Sequence, residues 1–157
     1  MTKDELKNLI ASKYESKMTL LDTGRYDPMY EIKDTDLLDI CRSLRDDEEF
    51  KFNFLCNMSG VDTGEHFEIV YSLASTELKT RLDFKIILPR EDNVAVESVT
   101  KIWKGANWFE REIWELFGIN IKNHENLKRF LLPDDWDQGH PLRKDWDAPD
   151  FIRMPEL

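Results

Sequence analysis

The sequence predicts an α+β fold: two layers, an antiparallel or mixed sheet packed on helices, with an extended, proline-rich C-terminal arm. Apolar residues recur with a helical period near both flanks and with a period of two in the middle. The middle holds three alternating runs bounded by turn formers. Four of the six prolines, Pro133, Pro141, Pro149 and Pro155, fall in the last 25 residues, where neither period survives. The expected organisation is a domain over residues 1–132 and an arm over residues 133–157.

The elements follow in order. Thr2 with Glu5 three residues on reads as a capping box, and Leu6, Leu9, Ile10 and Tyr14 continue at helical spacing. Lys17 to Leu21 is a short strand candidate, Asp22 to Pro28 is rich in turn formers, and Met29 to Ile32 is the returning strand of a hairpin. A second helix begins near Thr35 or Asp36, carries Leu37, Ile40, Cys41 and Leu44 on one face, and ends in the acidic run Asp46 to Glu49, a solvated loop.

Alternation then places Phe50, Phe52, Phe54 and Cys56 on one face of a strand, Phe67, Ile69, Tyr71 and Leu73 on the next, and Leu82, Phe84, Ile86 and Leu88 on a third. Ser59 to Gly64 and Ser75 to Thr80 are the hairpin connections, so one sheet face is expected against the helices. Pro89 and Asn93 close the block. A helical region is expected from about Glu97 to Phe117, bent near Gly105 and stopped by Gly118, with Ile119-Asn120-Ile121 as one more short strand.

The stretch Asn107 to Ile119, NWFEREIWELFGI, is the most informative. At about 100° per residue Phe109, Ile113, Leu116 and Phe117 form an apolar stripe, and Trp108 and Trp114 fall outside it on opposite flanks. Indoles that a domain does not bury mark a contact surface, either with the chain's own C-terminal arm or with a partner subunit. The arm carries Trp136, Trp146, Phe151 and Ile152, too apolar for a plain disordered tail, and reads as a strap lying along a surface. Arg143-Lys144 beside Asp145 and Trp146 could make charge-assisted bonds across such a contact or form a solvated turn.

With 157 residues the chain is long enough for one core without disulfide staples. Its net charge of -10 and scattered basic residues argue against a nucleic-acid surface. Cys41 and Cys56 lie among apolar neighbours with no second cysteine at ligand spacing, so they read as buried reduced thiols and give no zinc or iron–sulfur framework. No secretory signal heads the sequence and no run of 18 apolar residues crosses it, so membrane association is expected only indirectly, through a partner.

Catalytic readings find little support. Glu110 and Glu112, two apart on a helix, point about 200° from one another and cannot flank one scissile bond. Glu112 and Glu115 share a face, and Arg111 lies one turn from Glu115. His66, His124 and His140 have no i, i+4 relation, which leaves a metal site without a local frame. Glycine-rich phosphate cradles and a serine nucleophile elbow are missing from the sequence. A small autonomous hydrolase using Glu112 with His124 or His140 remains the competing class.

At these residues the chain resembles the C subunit of NADH-quinone oxidoreductase, the proton-translocating respiratory complex I. The family signature reads here as Glu110-Arg111-Glu112, Glu115-Leu116-Phe117, His124, Lys128 and Phe130-Leu131, with Phe130 where an aliphatic residue is usual. The likeness extends through Ser98-Val99-Thr100 and Trp103 to Trp108 on one side, and through Leu132 to Trp136 and Gly139 to Asp145 on the other. It is detailed from about Phe67 to Asp150.

The resemblance implies a non-catalytic scaffold subunit of the peripheral arm, on the cytoplasmic side of the inner membrane, beside the quinone-site subunit. NADH, FMN, iron–sulfur clusters and quinone are then bound by partner subunits and none by this chain. The corresponding subunit of an energy-converting hydrogenase or formate hydrogenlyase is the alternative within the class. On this reading Trp108, Glu110, Arg111, Glu112, Trp114, Glu115, His124, Lys128, Trp136, His140, Arg143, Lys144 and Trp146 form the partner interface. Arg111→Ala is expected to weaken assembly and leave the isolated fold intact.

Overall fold

A computed structural model describes residues 1–24, 27–148 and 152. Arg25 and Tyr26 of the expected turn, and Phe151, Pro149 and Pro155 of the expected arm, lie outside the described residues.

Helix α1 spans Lys3–Tyr14. The Thr2 hydroxyl accepts from Glu5 N at 3.2 Å and Thr2 N donates to the Glu5 carboxylate at 2.7 Å, the reciprocal capping predicted, which stabilises the first turn by about 1 kcal/mol. Strands β1 (Met18–Leu21) and β2 (Met29–Ile32) pair antiparallel, and helix α2 (Leu37–Asp46) buries Leu37, Ile40, Cys41 and Leu44. Strands β3 (Phe54–Asp62), β4 (His66–Ser75) and β5 (Thr80–Pro89) form an antiparallel meander. The five strands take the order β1-β2-β5-β4-β3, and β2 runs parallel to β5, so the sheet is mixed.

Phe67, Ile69, Tyr71 and Leu73 on β4 interleave with Leu82, Phe84, Ile86 and Leu88 on β5 as one buried face, with the Tyr71 and Phe84 rings stacked 4.6 Å apart. Those side chains join the inner faces of α1 and α2 in one core. Each contributes roughly 1.5–3 kcal/mol by leaving water.

The first β3 expectation needs correction. Phe50 and Phe52 are fully buried, but they precede the strand; Lys51 between them has φ of 46°, and register shifts by one at Cys56. A one-residue slip turns every later side chain over. Leu55 and Met58 therefore face inward, whereas Phe54 and Cys56 are exposed, so the buried-thiol reading holds for Cys41 and fails for Cys56. The strand also runs on through Asp62, which shortens the first hairpin connection to Thr63, Gly64 and Glu65.

The helical region expected from Glu97 is also shorter. Ala95–Glu97 is strand β6, residues 100–102 and 104–105 are turns, and helix α3 covers Ala106–Phe117. Strand β7 (Asn120–Lys122) pairs parallel with β6 in a second small sheet. Trp103 explains why the chain leaves the helical path there: its indole N–H donates to Phe52 O at 2.9 Å, inside the core. At the far end of α3 the Phe117 ring lies where a side chain on Gly60 of β3 would be, 2.8 Å from the position of a Cβ. That close approach seats α3 on the sheet edge.

Candidate functional site

Helix α3 does not bury the stripe that hydrophobicity alone selects. Ala106, Ile113 and Phe117 are buried, but so are Glu110, Arg111 and Glu115, while Phe109 and Leu116 are only half-buried. Three ionisable groups thus occupy core positions, and each is matched by a specific set of partners.

Glu110 is fully buried. Its carboxylate accepts Val99 N at 2.6 Å and the Ser98 hydroxyl at 2.7 Å, and Ser98 in turn meets Thr100 Oγ1 at 2.7 Å. Burial pushes its pKa up to about 7, against the opposing pull of the Ser98 and Val99 hydrogen bonds. His124 stands 3.8 Å away. Its Nδ1 accepts Asn126 N, so the ring proton is on Nε2, which faces Asn107 O at 3.3 Å.

Arg111 and Glu115 work as a pair of clamps on the segment after β7. The guanidinium donates through Nε to Lys128 O at 2.7 Å and through Nη2 to Arg129 O at 3.2 Å. Glu115 accepts the next three backbone N–H groups, those of Phe130, Leu131 and Leu132, at 3.4, 3.0 and 3.2 Å. Five main-chain groups of an irregular segment are satisfied by two side chains one helical turn apart. The Arg111 guanidinium also lies 4.6 Å from the Trp108 ring and 4.7 Å from the Phe130 ring, filling the space between two aromatics in edge contact at 5.0 Å.

The arm closes the other end of α3. Gly118, at φ 73°, turns the chain and donates to Trp114 O. The three carbonyls after Trp114 are taken by the arm. His140 Nδ1 donates to Glu115 O at 3.0 Å, Leu142 N to Leu116 O at 3.0 Å, and Arg143 Nε to Phe117 O at 2.6 Å. All four carbonyls that a helix leaves unpaired at its C-terminus are thereby satisfied, and Arg143 adds a positive charge at the negative end of the dipole.

A second anchor lies at the β3–β4 turn. The nearly buried Asp62 carboxylate accepts Arg90 at 2.9 and 3.0 Å, Lys144 N at 2.8 Å and Gly64 N at 2.9 Å, and Arg90 reaches on to Asp145 at 2.7 Å. The Arg90 guanidinium holds the Asp62 carboxyl well below the usual carboxylate range. Trp136 and Trp146 pack on one another at 6.2 Å, and each indole N–H donates to a carbonyl of the arm itself, at Gly139 and Gln138 respectively. The arm as far as Trp146 therefore lies along its own domain.

The expected site residues thus divide. Glu110, Arg111 and Glu115 are buried within the chain; His140, Arg143 and Lys144 hold the arm to α3 and β3; Trp136 and Trp146 shape the arm. His124 joins Glu110, and Lys128 offers its carbonyl to Arg111. Trp114 and Glu112 are half-buried on the helix flanks. Trp114 lines a shallow cleft with Asp92, Asn93, Gly118, His140 and Arg143. Trp108 alone among the tryptophans is exposed, at 57%; its ring meets that of Phe130, exposed at 37%, and Leu131, next in sequence, is exposed at 53%.

Sequence reasoning missed Asp62, Arg90 and Ser98. Asp62 two residues ahead of Gly64 was a usable signal, since an Asx turn needs that spacing. Glu112 is not joined by either histidine, both of which use a ring nitrogen on the backbone. Among the described residues no three His, Cys, Asp or Glu side chains come together as a metal site, and no helix is long and apolar enough to cross a membrane.

Comparison with known proteins places this geometry. The profile of a family described as respiratory-chain NADH dehydrogenase, 30 Kd subunit, matches residues 30–151. The NADH-quinone oxidoreductase C subunit of a Roseiflexus species is 46% identical over 112 residues, covering 69% of this chain and 63% of that protein, so the match spans less than two thirds of the relative. The protein of the same name from Chlorobium phaeobacteroides is 36% identical over 155 residues, covering 94% of this chain and 92% of its own length. Among solved structures, a chain of the membrane-bound sulfane sulfur reductase, an archaeal respiratory membrane complex, superposes with a TM-score of 0.79 over 93% of this chain and 86% of the other. At 23% identity that likeness shows the fold alone.

Proposed function

Since the chain belongs to the family of the respiratory-chain NADH dehydrogenase 30 Kd subunit, which is the C subunit of NADH-quinone oxidoreductase, we propose that it is a scaffold subunit of the peripheral arm. It docks on the quinone-site subunit on the cytoplasmic side of the membrane, and supports electron transfer from NADH to quinone without a catalytic centre of its own. The redox groups, FMN, iron–sulfur clusters and quinone, belong to the partner subunits.

One observation carries the reading. The polar atoms of the signature residues Glu110, Arg111 and Glu115 are matched within the chain, and what they hold in place is an exposed apolar surface, Trp108 with Phe130 and Leu131. Rigid aromatic anchors backed by an ordered support are what an interface core needs. The signature therefore acts indirectly: it shapes the contact surface and does not itself cross it.

A subunit of an energy-converting hydrogenase or formate hydrogenlyase would present the same surface. The relatives at 36% and 46% identity carry the NADH-quinone oxidoreductase name, which favours the first assembly. An autonomous hydrolase is less well supported, because His124 and His140 are engaged with the backbone away from Glu112. The test is co-purification. Tagged wild-type chain is expected to retain the quinone-site subunit and Trp108→Ala to lose most of it while keeping its own melting temperature; equal retention would contradict the docking role.

A further inference from the structure

We infer that the outer edge of strand β6 receives an extended segment of another subunit, which adds to the β6–β7 pair as a third strand through main-chain hydrogen bonds. The inference rests on this chain's place in a multi-subunit assembly and not on the Trp108 contact, which belongs to helix α3. Val94 O accepts Asn120 N at 2.8 Å, Ser98 N donates to Lys122 O at 3.0 Å, and Val96 lies in register with Ile121 between them. The main chain of Val94, Val96 and Ser98 is thus turned to β7. Successive residues of a strand turn their main-chain groups to opposite sides, so the N–H and C=O groups of Ala95 and Glu97 point away from it. Among the described residues no hydrogen bond engages those four groups. Two donors and two acceptors at that spacing are what the next strand of a sheet pairs with.

Helix α2 runs beside this edge and leaves a gap. Arg45, near the end of α2, donates to Lys101 O at 3.3 Å and Ile102 O at 3.1 Å, which ties the chain after β6 to the helix. Towards the start of α2, clefts of about 340 and 180 Å³ open between the two, and Leu38, Arg42 and Glu97 line both. Ala95, Val96 and Glu97 all line the larger cleft; the Val96 side chain is buried, so Val96 meets the cleft through its main chain.

The lining suits a ligand recognised by its backbone. Arg42, Lys101 and Lys122 are balanced by Asp34, Asp39 and Glu97, with Arg42 at 3.8 Å from Asp39 and Asn123 Nδ2 donating to Glu97 at 2.7 Å. That set favours neither an anion nor a cation. A helix keeps its own N–H and C=O groups paired and cannot match the edge. A second copy would have to bring its β6 past its own α2, which flanks the same edge.

Amide hydrogen exchange, resolved to single residues, tests the inference by comparing the free chain with the complex purified from membranes through a tag on it. The Ala95 and Glu97 amides are expected to exchange fast in the free chain and at least about tenfold more slowly in the complex, with the Ser98 amide, bonded to Lys122 O, slow in both. Ala95→Pro removes one edge donor and leaves the bonds to β7 in place, since proline suits a strand edge whose N–H faces outward. In competition with wild type for complex stripped of this subunit, that variant is expected to fill about fivefold fewer places. Equal exchange of both amides in the two states, or protection in the complex with Ala95→Pro competing on equal terms, would mean that no strand is added and would overturn the inference. Protection of Trp108 in the same complex would leave the docking role standing. Slow exchange already present in the free chain, or appearing as its concentration rises, would overturn the inference in favour of cover by the chain itself or by a second copy. If Ala95→Pro does not fold, the wild-type comparison decides alone.

Discussion

Replacing Glu110 with glutamine should stabilise the protein at neutral and alkaline pH. The carboxyl is fully buried, and burial raises its pKa from the ordinary 4.5 to about 7, despite hydrogen bonds from Ser98 and Val99 that favour the charged form. The sign follows from linkage. Below about pH 4.5 the group is protonated in both the folded and unfolded chain and has no pH-dependent effect. Between there and about pH 7 only the unfolded chain ionises, so stability falls as pH rises. Above that the folded state ionises too and the loss levels off. The gap between the two values corresponds to roughly 3 kcal/mol.

Glutamine cannot ionise, yet its carbonyl can accept from Val99 N and its amide can donate to Ser98 Oγ, whose own proton is then free for Thr100 Oγ1. Urea denaturation of both proteins from pH 4.5 to 8.5, reported as the difference between them, cancels the other titrating groups. The variant is expected to gain about 3 kcal/mol on wild type across that range, most of it between pH 5 and 7.5. A difference that stays flat with pH, or a variant that becomes the less stable partner as pH rises, would show that the site favours the carboxylate and would refute the reasoning.

Three further perturbations follow from the same geometry. Gly118→Ala must hold a left-handed conformation at φ 73° and would put a methyl 2.8 Å from Arg143 Nη2 and into the His140 ring, so a loss of at least 1–2 kcal/mol is expected, with faster amide exchange at Leu142. Asp62→Ala leaves Lys144 N and Gly64 N without their acceptor and Arg90 with Asp145 in place of the buried pair; a loss of roughly 3 kcal/mol and proteolysis near Lys144 are expected. In wild type the same contribution should be present above the ordinary value of 3.8 and fade as pH drops below it. Arg111→Ala should lower the melting temperature of the isolated chain, because it strips the donors from Lys128 O and Arg129 O. That outcome replaces the sequence-based expectation of an unaffected fold, and an unchanged melting temperature would restore it.

The parts of the fold legible in the sequence were those where local pattern and burial agree. The α1 capping box, the inward set of α2 and the alternation on β4 and β5 needed no knowledge of distant contacts. Where one residue changes the phase, pattern misleads: the left-handed Lys51 and the irregularity at Cys56 turn β3 over. Hydrophobicity also misassigned α3, since Glu110, Arg111 and Glu115 take core positions through hydrogen bonds to chain that arrives much earlier or later. The resemblance to the family named the signature residues, but not their direction. Whether they face a partner or their own backbone depends on where residues 128–132 and the arm return, which no local period records.

The docking account turns most directly on Trp108. Hydroxyl-radical footprinting of this chain, free and within the assembled membrane complex, reports how much of that indole water can reach. In the free chain Trp108 should oxidise rapidly, in keeping with its 57% exposure. In the complex it should be protected together with Phe130 and Leu131, while exposed Leu20 on the opposite sheet edge serves as an internal reference for the rest of the surface. Equal oxidation of Trp108 in the two states would contradict its role as the contact anchor.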